Sequence, residues 1–169
     1  GRIGRILIPL FLFQKRLLSQ PMFYLSEYLE QNRDEYYQRL GAISQEGDWN
    51  GWIAFFLRAV TRQARQNSER VRAIMGLYDE MKHRIHEVTH SQYSVYLLDA
   101  LFSKPIFQTS DLVSQLNRDF GISKRTVPAL LRQLKDAGIL IELSPSSGRK
   151  PAVLCFPQLL NLAEGRKVF

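Results

Sequence analysis

The chain of 169 residues holds a single cysteine, Cys155, so neither a disulfide nor a cysteine-based zinc site can form within it. Long apolar runs are missing as well. The longest extends from Ile6 to Phe13, is interrupted by Pro9, and is too short to span a bilayer. It lacks the charged start and the cleavage site of a signal peptide, and the chain does not open on Met. Internal repeats and low-complexity segments are absent. These absences argue against a membrane protein and an exported disulfide scaffold. The lone thiol fits a reducing, cytoplasmic location.

What is present is a globular composition, 45% hydrophobic and 23% charged, enough for one compact domain or two small ones. The net charge of +7 favours polyanionic partners: nucleic acid, nucleotide phosphates or an anionic surface. Divided at Gln92, the chain carries 13 Lys+Arg against 10 Asp+Glu, then 10 against 6, so neither half is a polybasic tail.

The apolar spacing predicts a mainly α protein. Ile3 to about Leu18 reads as a buried helix with Ile6, Leu7, Leu10, Phe11 and Leu18 inward. Pro9 is tolerated best in its first turn, which would set Gly4 and Arg5 at the helix N-terminus. A second helix starts at Leu25 or Ser26 and runs to about Leu40. Gly41 to Gly47 reads as a break. Asp48 caps a third helix, with Trp49, Trp52, Ile53, Phe56 and Val60 as core positions. Ser68 to about His90 forms another. Its stripe of Ile74, Tyr78, Met81, Ile85 and Val88 either packs on a core or pairs with a partner helix, the second outcome giving a homodimer.

Near Ser91 the texture changes, dividing the chain into domains 1–91 and 92–169. Val95, Leu98 and Phe102 mark a helix ending before Lys104-Pro105. Thr109 or Ser110 caps a second, with Leu112, Val113 and Leu116 apolar and Gly121 stopping it. Ser123 or Thr126 caps a third, with Leu130, Leu131 and Leu134 inward and Gly138 closing it. ILIEL and AVLCF then flank PSSGRKP as a hairpin. Helix, helix, turn, helix, hairpin is the order of a winged helix-turn-helix. Lys124, Arg125, Thr126 and Arg132 fall at or on its recognition helix, and Arg149 and Lys150 at the wing tip. Basic groups on both elements are what docking on DNA requires. Pro128 is comfortable only if Thr126 begins the helix, in which case Lys124 and Arg125 belong to the turn. No Asn lies between Lys124 and Ala137, so the base preference is not readable.

His86-Glu87-Val88-Thr89-His90 has the H-E-x-x-H spacing of metalloproteases, with His83 one turn earlier. No histidine follows to serve as third ligand, and the expectation is that no metal binds.

The opening residues, GRIGRILIPL, together with PMFYLSEYLEQNRDEYYQRLGAISQEGDWNGW, resemble the Fic family of nucleotide-dependent protein-modifying enzymes. Its motif reads His-x-Phe-x-Asp/Glu-Gly-Asn-Gly-Arg-x-x-Arg. Gly1, Arg2 and Arg5 match the last glycine and both arginines. The resemblance covers about the first half of the chain, and winged helices are a known C-terminal appendage of the family. It implies C-terminal helices of a Fic core over 1–91, phosphate binding by Gly1, Arg2 and Arg5, and adenine contact by Tyr36 and Tyr37. It also implies transfer of AMP from ATP, with magnesium, to a hydroxyl of a target protein. The motif's histidine base, its phenylalanine, its acidic residue and its Gly-Asn pair are absent. They would precede Gly1, so the expectation is a fragment of such an enzyme, inactive by itself and without cofactor. The alternative is a transcriptional regulator or an interaction module with no enzymatic activity.

Overall fold

A computed structural model describes residues 2–18, 25–148 and 150–169, with side chains from Leu7 onward. The fold is mainly α with one small three-stranded antiparallel sheet. It forms two compact units, Gly1–Glu69 and Arg70–Phe169.

The first unit contains α1 (Arg2–Gln14), α2 (Ser26–Gln31), α3 (Arg33–Glu46) and the start of α4 (Trp49–Thr89). Its core is Leu25, Tyr28, Leu29, Phe55 and Ala59, with Ile8, Leu12, Leu18, Tyr36, Trp52 and Phe56 packed around them. The inward face of α1 therefore differs from the expected one: Ile8 and Leu12 turn to the core, while Leu7, Leu10 and Phe11 are exposed. Pro9 lies inside α1 rather than in its first turn, so Gly4 and Arg5 are within the helix. An evenly apolar segment does not reveal which of its faces meets the core, because every face offers similar burial. On α4 the same shift occurs. Phe55 and Ala59 are fully buried, whereas Trp49 and Ile53 are exposed.

The expected second helix is two, divided at Asn32, and α3 continues through Gly41 to end at Gly47 in the left-handed region. Asp48 does cap α4: its Oδ1 accepts the Gly51 N–H at 2.8 Å. Asp48→Ala should cost the first unit about 1 kcal/mol, and Asp48→Asn, which keeps the acceptor, markedly less. Both tryptophans lie in this unit, so their fluorescence during urea unfolding reads the loss.

The two helices expected from Asp48 to His90 are one helix of 41 residues. Thr61 to Asn67 carries no apolar stripe, which made it look like a gap, but it holds no proline or glycine to stop a helix. The division at Glu69 and Arg70 falls within α4, well before the change of texture at Ser91. The reason is burial. Leu77, Met81 and Ile85 are part of the second unit's core, with Ile74, Tyr78 and Val88 packed against it. The apolar stripe that might have joined a partner helix is thus used inside the chain.

The second unit continues with α5 (Ser94–Ser103), β1 (Ile106–Gln108), α6 (Thr109–Phe120), α7 (Thr126–Asp136), β2 (Ile141–Ser144), β3 (Val153–Cys155) and α8 (Pro157–Glu164). The sheet order is β1-β3-β2, all antiparallel. Ile106 and Ile141 both pair with Cys155, and Phe107 opposite Leu154 fills the core face. On α5, Leu97, Leu98 and Leu101 turn inward and Val95 is exposed, a correction to the expected set. β1 and α8 were not expected. Three residues are too few to show alternation, and β1 is a strand only because β3 pairs with it. The element order with this sheet is a winged helix-turn-helix.

Cys155 is fully buried, and desolvation pushes its thiol above the ordinary value. The unfolded thiol ionises first as pH rises. Its contribution to stability is therefore full below the ordinary thiol range and declines above it. Native protein should resist iodoacetamide at mildly alkaline pH and label stoichiometrically in urea. Stoichiometric labelling without denaturant would contradict the burial.

Candidate nucleic-acid interface

The helix-turn-helix follows from local signals. Leu112 and Leu116 of α6 are buried, and Gly121 ends the helix with φ +66°, a conformation that glycine reaches without strain. Ile122, buried, donates its N–H to the Leu116 carbonyl, and Asn117 Nδ2 donates to the Ile122 carbonyl at 2.9 Å. The turn is thereby held from both ends, a hydrophobic C-cap closed by a side-chain bond. α7 begins at Thr126, which leaves Pro128 in the first turn, where its missing N–H removes no helical bond.

Of the two starts the sequence left open, the later one holds: Lys124 and Arg125 lie in the turn leading into α7, both exposed. Neither Ser123 nor Thr126 caps it by side chain; the Thr126 N–H bonds the Ser123 carbonyl at 2.9 Å. On α7, Val127, Leu130, Leu131 and Leu134 are buried, and Arg132, Gln133 and Lys135 are exposed on the other side. Arg132 makes no ion pair among the described residues.

Beyond β2 the wing narrows to a tight turn. Ser147 and Lys150 exchange both backbone hydrogen bonds, at 3.0 and 2.9 Å, around Gly148 at φ +55°. Two-residue hairpin turns demand positive φ, which explains the glycine. Lys150 is exposed; Arg149 lies outside the described residues.

Arg132 and the wing border one groove of about 450 Å³, with Thr109 and Ser110 of α6, Lys135 of α7, and Ser146 and Pro151 of the wing on its walls. Lys135 is ion-paired with Glu142 of β2. The sequence singled out Arg132 but not Lys135 one turn later, although the spacing placed it on the same face. Its partner is set by the packing of α7 on β2, which no local pattern reveals.

The nucleotide residues expected from the resemblance stand differently. Gly1 and the side chains of Arg2 and Arg5 lie outside the described residues. Tyr36 is half-buried in an aromatic cluster, with ring centroids 5.2 Å from Tyr37, 5.8 Å from Trp52 and 6.5 Å from Phe55. Tyr37 is exposed, with the Arg33 guanidinium 5.8 Å from its ring centroid. The first unit also has an open cleft of about 690 Å³ lined by Tyr28, Leu57, Arg58, Thr61, Arg62 and Arg65. Arg58 Nη2 donates to Glu35 Oε1 at 2.9 Å.

The H-E-x-x-H spacing runs across the C-terminal end of α4. α4 ends at Thr89, and His90 turns out of the helix with φ +47°. His86 Nδ1 lies 3.3 Å from Ser94 Oγ. Among the described residues no three His, Cys, Asp or Glu side chains gather as a metal site. Tyr78 donates to Asp99 at 2.6 Å, and that bond, with burial and the acidic charges, raises the phenol's pKa. The Tyr78–Asp99 contact ties α4 to α5.

No protein-family model matches the chain. No helix among the described residues is long and apolar enough to cross a membrane.

Proposed function

We propose that the second unit binds double-stranded DNA. The observation that carries this reading is the arrangement around α7: Lys124 and Arg125 lead into it, Arg132 stands on its exposed face, and the wing bearing Lys150 borders the same groove. A helix with a basic entry fits the major groove, and a basic hairpin beside it reaches the flanking backbone. Phosphate neutralisation makes such binding steeply dependent on salt. Anisotropy of a labelled long duplex, titrated at several salt concentrations, tests it. With three or four phosphates neutralised, the logarithmic slope should be about −3. Absence of binding at about 50 mM salt would overturn the reading.

A second reading concerns the first unit. Its resemblance to Fic enzymes assigns Gly1, Arg2 and Arg5 to nucleotide phosphates and Tyr36 and Tyr37 to the base; of the two rings, Tyr37 is exposed. AMP transfer also needs a general base for the acceptor hydroxyl. All three histidines of the chain lie in the second unit, and none stands in the motif. On this reading the chain by itself transfers no AMP. Incubation with labelled ATP and candidate target proteins should give no incorporation; transfer of AMP by this chain alone would refute that assignment.

A further inference from the structure

The groove beside α7 has a chemistry of its own. Its volume, about 450 Å³, is that of a site for a small organic molecule. Val113, Leu131 and Leu154 give it an apolar floor, the last two being core side chains. Its lining includes three charges, Arg132, Lys135 and Glu142. Lys135 and Glu142 neutralise each other. One guanidinium is left over, without a carboxylate among the described residues.

We infer that this cleft binds a small carboxylic acid with an apolar body. The carboxylate pairs with Arg132, whose planar donors match its two oxygens. The body covers Val113, Leu131 and Leu154. Arg132, the one unneutralised cation among the described lining residues, selects one negative charge, and the apolar floor disfavours a bare anion such as acetate. A ligand seated here fills the space between α7 and the wing and engages Arg132, so it competes with DNA. Only this last step rests on the DNA reading; the ligand site does not.

Phenylacetate is a suitable probe, titrated into the full chain and followed by methyl NMR. Shifts of the Val113, Leu131 and Leu154 methyls should saturate, with a dissociation constant of about 1 mM for so small a molecule. Arg132→Gln, at an exposed position, should weaken binding about tenfold without unfolding the chain. Acetate and the neutral phenylacetamide should each bind markedly more weakly. Three results overturn the site: no saturation by about 10 mM, equal binding of the amide, or equal binding of acetate. Duplex affinity at fixed ionic strength should fall as phenylacetate saturates. Saturated methyl shifts with unchanged duplex affinity would overturn the competition. Phenylacetate binding by a chain that binds no duplex would overturn the DNA reading and the competition together, with the ligand site upheld.

Discussion

Met81→Ala and Ile85→Ala should each lower the stability of the second unit by about 2–5 kcal/mol. Both side chains are fully buried. They lie on α4 yet belong to the core built by Leu97, Leu98, Leu101, Leu134 and Phe156. Truncation removes the transfer free energy of the lost methylenes and leaves a cavity in the core. A domain of about a hundred residues holds only about 5–15 kcal/mol in total, so either change takes a large share. Met75, on the same helix, is 63% exposed, and Met75→Ala should stay within about 0.5 kcal/mol. Hydrogen exchange of the α5 to α7 backbone amides reads the unit directly, whereas tryptophan fluorescence reports the first unit. Unchanged exchange in both buried variants would show that α4 contributes nothing to this core. The prediction also places the functional boundary: a piece beginning near Ser91 lacks the buried stripe and should not fold stably.

The second half of the chain was legible because its signals are local and agree with one another. Gly121 and Gly138 stop helices, Leu112 and Leu116 and then Leu130, Leu131 and Leu134 mark two short apolar faces, and PSSGRKP forces a turn between β-rich runs. The first half was less legible. α1 offers apolar side chains on all sides, so periodicity did not tell Ile8 and Leu12 from Leu7 and Phe11. Gly41 looked like a breaker but is carried inside α3, where its cost of about 1 kcal/mol is outweighed by the helix around it. In the candidate interface, Arg132 was readable from its place opposite the buried leucines. The pairing of Lys135 with Glu142, which leaves Arg132 as the one uncompensated cation among the cleft's described residues, was not. It depends on how β2 packs on α7, which brings together Lys135 and Glu142, seven residues apart in sequence.

Arg132→Ala should weaken duplex binding by about 1–3 kcal/mol, a loss of roughly 5- to 150-fold at fixed salt. Arg132 projects from the exposed face of α7, the face proposed to meet DNA, and among the described residues no carboxylate pairs with it. Its guanidinium is free to meet base edges or phosphate bidentately, a geometry lysine does not reproduce. Lys124, in the turn before α7, is placed for backbone contact instead. Lys124→Ala should weaken all sequences alike and flatten the salt slope by about one unit. Arg84, exposed on α4 and not on the groove, serves as control: Arg84→Ala removes the same charge and should leave affinity nearly unchanged. If all three variants lose affinity equally, binding follows net charge and not the helix and wing. If Arg132→Ala alone keeps full affinity, α7 is not the element that meets DNA. Because Arg132 and Lys124 are both exposed and unpaired, their replacement leaves the core untouched, and thermal unfolding of each variant should match the parent chain within about 0.5 kcal/mol. That separation between lost affinity and retained stability is what distinguishes a docking surface from a solvated one.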